Sequence, residues 1–317
     1  MNYRTTRIRA IPAVLAVLML ALLTACGNVG GTGGSESGSG SGPTITVGSK
    51  NFTEQYILGE LYAQALAANG FHAETKLDLG SEQIADKALQ NGQIDLYPEY
   101  TGTALVDVLG YKGEYPSTPE TTYKKAKELY AKRDPADTML TPAPFNDTYG
   151  VYVRRDVAEK YDLKTLADLA EVSPKLTFVI FSEFKNREDS YPNMKKNYPA
   201  FDFGDFVIVN SMGGPIYQGV LQGEGDAGVG FTTDPQLASG KLVVMEDPKN
   251  IWPFYFPAPV IRSDVLKKYP KMKGVLNKVS ASLNAETMRK LNAQVALEQD
   301  DPEDVAHEFL QKKGIVD

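Results

Sequence analysis

One segment sets the organisation of this chain: Asn91-Gly92-Gln93-Ile94-Asp95-Leu96-Tyr97-Pro98-Glu99-Tyr100-Thr101-Gly102-Thr103. A helical pattern over 82–91 ends at Gly92, and a short strand is predicted over 94–97. Small hydroxyl residues and a glycine then favour a tight turn into a new helix, with Thr101 or Thr103 as the N-cap. In an open α/β sheet, ligands bind beyond the carboxyl ends of the strands. The segment therefore predicts either a binding corner that uses Tyr100 or an ordinary strand–turn–helix with Tyr100 in the core.

The regions on either side of this segment predict alternating strands and helices. Before it, a strand over 44–48, a helix over 54–69 and a strand over 72–77 indicate parallel strand pairs with helices on the sheet faces. After a proline-rich stretch at 140–144, further strands are predicted over 150–154, 176–181, 206–209, 226–231 and 241–245. Residues 252–259 are again rich in proline and are expected to be extended. From Ser263 onward the pattern is helical.

The corner has a faint internal repeat. Residues 92–101 align without a gap with residues 223–232, and the matching positions are a glycine, an aspartate, an aromatic residue and a threonine. A helical pattern precedes each copy. If the repeat is structural, two such corners face each other and line a cleft.

The N-terminal region predicts secretion and membrane anchoring. Residues 1–25 combine three arginines with a short apolar run, as in a signal peptide. The sequence Leu23-Thr24-Ala25-Cys26 resembles a bacterial lipobox, which implies cleavage before Cys26 and lipid attachment to this residue, the only cysteine of the chain. Residues 26–43 are rich in glycine and serine and are interpreted as a flexible tether. The alternative is a secreted protein with a lone thiol.

Composition excludes several functional classes. The net charge of −7 argues against a basic face for nucleic acid or anionic lipid. With only His72, His307 and Cys26 available, a histidine-based catalytic triad or a zinc site is poorly supported. No cofactor-binding loop is visible. The 17 tyrosines against one tryptophan favour binding surfaces with apolar faces and polar tips.

Several separate motifs, in a consistent order, carry a family resemblance. They are Gly48-Ser49-Lys50-Asn51-Phe52-Thr53-Glu54-Gln55, Tyr97-Pro98-Glu99-Tyr100-Thr101-Gly102-Thr103, Leu140-Thr141-Pro142-Ala143-Pro144, Phe231-Thr232-Thr233-Asp234 and Leu283-Asn284-Ala285-Glu286-Thr287-Met288-Arg289-Lys290-Leu291-Asn292. Over 44–317 the chain resembles the substrate-binding proteins of osmoprotectant ABC importers, the glycine betaine/carnitine/choline-binding group. The resemblance implies a two-lobed α/β fold, periplasmic-binding-protein-like of type II, with two crossing segments and the ligand in the interlobe cleft. We expect lobe 1 to comprise 44–147 and 233–317, and lobe 2 to comprise 148–232.

The resemblance also implies an aromatic cage around a quaternary ammonium group. Its walls are expected at Tyr100, Tyr149, Tyr217 and Phe231. Many family members have tyrosine at the position of Phe231, so the π face is kept and a hydroxyl is lost. Trp252 and its aromatic neighbours are interpreted as packing between the lobes.

The polar end of the ligand is expected to meet a second set of residues. For a ligand carboxylate the resemblance suggests Lys50, Thr103 and Arg187, and Asp147 matches a position whose backbone borders the cage. A trimethylammonium group has no N–H to donate, whereas aromatic faces offer it both negative potential and apolar contact. Each such face contributes roughly 0.5–2 kcal/mol when water is excluded.

The sequence therefore predicts a lipid-anchored, extracytoplasmic and non-enzymatic binding protein that works without cofactor or metal, as a monomer. It delivers a quaternary ammonium solute to an ABC permease and its ATPase. Glycine betaine is the first candidate, followed by choline, carnitine, proline betaine and other trimethylated amino acids. Three alternatives stay open: the same fold with an ordinary amino acid or an anion, an enzyme using carboxylates such as Glu99 and Asp147, or a structural surface lipoprotein.

Overall fold

A computed structural model describes residues 43–210 and 212–317. The predicted signal peptide, Cys26 and all but the last residue of the predicted tether lie outside this part of the chain. Ten strands are described: β1 Thr44–Gly48, β2 His72–Lys76, β3 Leu96–Tyr100, β4 Asp137–Met139, β5 Tyr149–Arg154, β6 Thr177–Phe181, β7 Asp205–Val209, β8 Ala227–Phe231, β9 Leu242–Val244 and β10 Pro257–Arg262.

Twelve α-helices are described in the same residues. They are α1 Thr53–Ala67, α2 Glu82–Gln90, α3 Thr101–Thr103, α4 Pro119–Lys132, α5 Arg155–Tyr161, α6 Leu166–Val172, α7 Tyr191–Asn197, α8 Gly214–Leu221, α9 Ser263–Lys268, α10 Lys271–Ala281, α11 Ala285–Ala296 and α12 Pro302–Lys312. Side chains cap the N-termini of four of them: Thr118 at α4, Thr165 at α6, Asn284 at α11 and Asp301 at α12. None of these helices is long and apolar enough to cross a membrane.

The strands form two five-stranded sheets with the same plan. The first has the order β2-β1-β3-β10-β4 and the second β7-β6-β8-β5-β9. In each sheet the first three strands are parallel. The fourth strand, β10 or β5, runs antiparallel to the third, and the fifth strand, β4 or β9, runs antiparallel to the fourth. The two-lobed α/β fold predicted from the sequence is confirmed. The antiparallel strands β4 and β10 were not predicted as strands, because β4 is short and β10 contains two prolines.

The internal repeat is present in the backbone. Asp95, just before β3, accepts from Thr46 N of β1 at 2.8 Å, and Asp226, just before β8, accepts from Thr177 N of β6 at 3.0 Å. The backbone N–H of each aspartate also donates to the carbonyl of the same threonine. The aspartates thus fix the same register in both sheets, so Tyr100 and Phe231 end equivalent strands.

Two segments cross between the sheets, residues 140–148 and 245–256. The predicted end of lobe 2 at residue 232 is too early, because β9 lies after it and still pairs with β5 in the second sheet. The return crossing therefore begins after Val244. The error arose because the second corner was taken as the end of the lobe, whereas a further edge strand follows it.

The first corner differs in detail from its prediction. The strand β3 runs over Leu96–Tyr100, whereas 94–97 was predicted. The N-cap of α3 is Tyr100, not Thr101 or Thr103. Thr101 Oγ1 instead donates to Phe254 O at 2.7 Å and accepts from Phe256 N at 3.1 Å. Its hydroxyl holds the second crossing segment rather than the helix end, and α3 continues as a π-helical turn over Ala104–Val108.

Candidate functional site

A small cavity lies where the carboxyl ends of β3 and β8 face each other. This is the place in an open α/β sheet where ligands bind. The residues that line it come from both sheets and from both crossing segments: Lys50, Phe52, Glu82, Tyr100, Thr103, Asp147, Tyr149, Arg187, Met212, Phe231 and Tyr255. All the residues suggested for the ligand site except Tyr217 lie in this set. Asp147, which was expected at a position bordering the cage, is one of them.

Aromatic rings follow one another around the cavity. Phe52 stacks between Tyr100 and Phe231, with ring centroids 6.2 Å and 5.9 Å away. Tyr149 lies 5.5 Å from Phe231 on one side and 5.5 Å from Tyr255 on the other. The rings thus form an unbroken series from the first sheet to the second, and their faces and edges supply a largely apolar wall.

Tyr217 does not line the cavity. It is fully buried on α8, stacks on Tyr152 at 4.7 Å and donates its hydroxyl to Asp234 Oδ2 at 2.9 Å. Asp234 Oδ2 also accepts from Phe231 N. The motif suggested a position near the second corner, but on α8 this side chain packs onto the sheet. It is linked to Phe231 through Asp234 Oδ2, which accepts from both residues.

Tyr255 and Trp252 occupy different positions, although the sequence suggested one role for this aromatic segment. Trp252 packs against the outside of Tyr149 at 5.2 Å, whereas Tyr255 is a cavity wall. Tyr255 comes so close because residue 102 is glycine: a Cβ there would lie 2.8 Å from Phe254 O and 2.9 Å from the Tyr255 ring. The interpretation as interlobe packing is thus wrong for Tyr255.

Lys50 follows β1 and is buried beside the first corner. Its ammonium lies 2.5 Å from Glu99 Oε1 and 4.5 Å from the centre of the Tyr100 ring. Burial raises the pKa of Glu99, and the Lys50 charge opposes that rise. The cation therefore already has a carboxylate partner within the first lobe.

Arg187 lies in the loop after β6 and carries two carboxylates. Its Nε and Nη2 donate to Asp189 at 3.0 and 2.7 Å, and its Nη1 donates to Glu82 Oε1 at 2.5 Å. Glu82 is the first residue of α2, so this last contact joins the two sheets across the cavity. Tyr255 completes the group because its hydroxyl donates to Asp189 Oδ2 at 2.7 Å.

Glu54 ties the two corners together below the cavity. Its Oε1 accepts from the Tyr100 hydroxyl at 2.8 Å, and its Oε2 accepts from Asn292 Nδ2 at 3.0 Å. Thr233 Oγ1 lies 2.6 Å from both Glu54 Oε2 and Asp147 Oδ1. One hydroxyl carries one proton, so this geometry is satisfied when one carboxyl is protonated. Burial raises the pKa of both acids, which favours that state.

Four lining residues were missed from the sequence. Phe52 and Tyr255 stand in segments that were recognised but not assigned to the site, and their position beyond strand ends was the available signal. Glu82 looked like an acid at a helix start. Met212 stands directly before Gly213 and Gly214, and no motif marked it. In residues 43–210 and 212–317, no group of three or more histidine, cysteine, aspartate or glutamate side chains could hold a metal ion.

Comparison with known proteins agrees with this architecture. Residues 43–312 match the family described as the substrate binding domain of ABC-type glycine betaine transport system. The glycine betaine-binding protein YehZ of Escherichia coli is 35% identical over 278 residues, which cover 85% of this chain and 90% of that protein. The carnitine transport binding protein OpuCC of Listeria monocytogenes is 31% identical over 280 residues, or 87% and 89% of the two chains.

A solved structure agrees as well. The crystal structure of a glycine betaine/carnitine/choline ABC transporter superposes with a TM-score of 0.68 at 27% identity, covering 86% of this chain and all of that one. The relatives are binding proteins for transport, so the prediction of a binding protein rather than an enzyme is confirmed. The chain belongs to the family of substrate-binding domains of ABC-type glycine betaine transport systems.

Proposed function

We propose that this protein captures a quaternary ammonium solute in the cavity between the two sheets and delivers it to an ABC permease and its ATPase. The observation that carries the proposal is the continuous series of rings from Tyr100 through Phe52, Phe231 and Tyr149 to Tyr255. A methylated ammonium gains from such walls because its charge is spread over methyl groups that make apolar contact.

The aromatic walls supply most of the affinity under this proposal. A micromolar ligand needs about −8 kcal/mol of binding free energy. Each dry aromatic face contributes roughly 0.5–2 kcal/mol. Tyr100, Tyr149 and Phe231 keep the roles inferred for them, Phe52 and Tyr255 join them, and Tyr217 acts by supporting Phe231.

Polar groups around the cavity would orient the other end of the ligand. Lys50, Thr103 and Arg187 are the side chains proposed to meet it, and all three line the cavity. Asp147 lies at the same wall, and burial raises the pKa of its carboxyl well above the ordinary value. The sum of these groups suits a small ligand with one cationic, methylated end.

Relatives suggest which solutes to test first. The relatives YehZ and OpuCC, which match over most of their length, are named for glycine betaine and for carnitine. On the relatives' names alone, glycine betaine is tested first, followed by choline, carnitine, proline betaine and other trimethylated amino acids. We further propose that the mature protein is a monomer held on the extracytoplasmic side of the membrane by lipid on Cys26.

Calorimetry of the full-length protein in mild detergent tests this function. The ligands are glycine betaine, choline, carnitine and proline betaine, with glycine and proline as unmethylated controls. We expect binding of at least one methylated ligand and none of glycine or proline. Binding of the simple amino acids alone would support the ordinary amino acid alternative, and flat titrations with every compound would remove this ligand class altogether.

A further inference from the structure

Glu82 is an acid in an unexpected place for a site that takes carboxylate ligands. It is fully buried, lines the cavity and lies on the first lobe, and its carboxylate accepts from Arg187 of the second lobe at 2.5 Å. Burial acts to raise the pKa of Glu82, but Arg187 and Lys50 outweigh it and lower that pKa. Glu82 is therefore an anion at neutral pH.

The same guanidinium is the group proposed to meet a ligand carboxylate. Asp189 already takes Nε and Nη2 through both of its oxygens, and Glu82 takes Nη1. A ligand carboxylate would be the third anion around one guanidinium. Because charges interact strongly where water is excluded, the added repulsion would weaken binding of that ligand.

The second cation offers no substitute. Lys50 is paired with Glu99 at 2.5 Å. Among the described residues, the cations that line the cavity are Lys50 and Arg187, and the carboxylates paired with them are Glu82, Glu99 and Asp189. Arg187 already contacts two carboxylates, Glu82 and Asp189, which favours a ligand with net positive charge over a zwitterion.

The geometry points to Glu82 as a specificity-determining residue that favours quaternary ammonium alcohols over quaternary ammonium carboxylates. Its carboxylate occupies the guanidinium position that a ligand carboxylate would use. An alcohol ligand keeps the cationic head for the aromatic rings and brings no competing anion. This inference rests on the proposed function, since it concerns the choice among methylated ligands for the same cavity.

A neighbouring acid supports an anionic Glu82. Burial, followed by a hydrogen bond to Glu82, raises the pKa of Asp107 to about 7. Asp107 is thus the member of this acidic pair that holds a proton more readily, and the negative charge stays on Glu82 beside Arg187.

The test compares Glu82→Gln with the wild type by calorimetry of the full-length protein, using glycine betaine and choline as ligands. Glutamine keeps the size of the side chain and removes the charge. The readout is the ratio of the two affinities, because losing an interlobe contact alters both affinities equally. Relative to choline, we expect glycine betaine to gain about tenfold or more, the size of one charge-assisted hydrogen bond.

Glu188→Gln is the matched control. Glu188 lies in the same loop as Arg187, is exposed, pairs with Lys112 and does not line the cavity. We expect its affinity ratio to equal that of the wild type. Normal binding of both ligands with an unchanged ratio in Glu82→Gln would overturn the role of Glu82 alone. Failure of the wild type to bind either ligand would instead overturn the proposed function, and this inference with it.

Discussion

At the end of β3, Tyr100 donates its hydroxyl to the buried Glu54, and the preceding Glu99 pairs with Lys50. At the equivalent end of β8, Phe231 has no hydroxyl, and the preceding residue is Gly230. Both corners nevertheless place an aromatic ring on the cavity and a threonine hydroxyl on a crossing segment. The difference teaches that the backbone plan was kept in both lobes, whereas the buried lysine–glutamate pair belongs to the first corner.

The threonines show how close the likeness is. Thr101 Oγ1 donates to Phe254 O in the second crossing segment, and Thr232 Oγ1 donates to Asn146 O in the first. Each corner therefore holds the segment that leads to or from the opposite lobe. Glu54 then joins the two corners directly through Tyr100 and Thr233.

Of the changes that test this comparison, removing the Glu54 side chain should lower the free energy of unfolding most. Glu54→Ala leaves the buried Tyr100 hydroxyl and one N–H of the Asn292 amide without their acceptor, while the other Asn292 N–H keeps Thr233 O. Since each unsatisfied buried donor costs about 1–3 kcal/mol, the free energy of unfolding should fall by about 3 kcal/mol or more. Denaturant titration measures it. Glu128→Ala, an exposed acid on α4, is the control and should change stability by no more than about 0.5 kcal/mol; an equal effect of the two would contradict the central role of Glu54.

The two threonines offer a matched pair of intermediate effect. The Thr101 hydroxyl makes two hydrogen bonds to the second crossing segment, at 2.7 and 3.1 Å, and the Thr232 hydroxyl makes one to the first, at 3.2 Å. Valine at each position keeps the shape. We expect Thr101→Val to lower the unfolding free energy by about 2 kcal/mol and Thr232→Val by about 1 kcal/mol or less. If thermal or denaturant unfolding gave the reverse order, the hydrogen bond from the second corner would stabilise its crossing segment more than those from the first corner do.

A smaller effect, the pH dependence of stability, distinguishes the second corner from the first. At the second corner, burial raises the pKa of Asp234 from 3.8 to about 7. The folded protein therefore holds this proton more tightly than the unfolded chain, so the contribution of Asp234 to stability is complete below about pH 4 and is lost as the pH rises towards 7. Between pH 6 and 8 the wild type should lose about 1–2 kcal/mol more than Asp234→Asn. Parallel stability curves for the two proteins would contradict the raised pKa.

Much of the fold followed from local sequence pattern. The strand β1, the helices of the tail and the repeat at Asp95 and Asp226 each left a periodic or repeated signal. The short edge strands β4 and β9 depend on partners far away in the chain. For this reason β4 was missed and the second lobe was ended too early.

Site residues could be predicted from the sequence where a motif ends a strand. They were missed where the residue that they contact is distant in the chain. Tyr100 and Phe231 end equivalent strands, which made them visible as a pair. Glu82 shows its role only beside Arg187, which lies on the other lobe. Tyr217 was misplaced because a helix position does not reveal which face of α8 meets the sheet.

The central claim is that the rings around the cavity recognise a methylated cation. The most direct measurement compares the affinity of choline with that of its carbon analogue, in which a quaternary carbon replaces the nitrogen. The two compounds share size and shape, so only the charge over the rings differs. We predict that choline binds about tenfold or more tightly and that Tyr100→Ala narrows this gap, since one wall contributes about 1–2 kcal/mol. Equal affinities for the two compounds in the wild type would contradict the account.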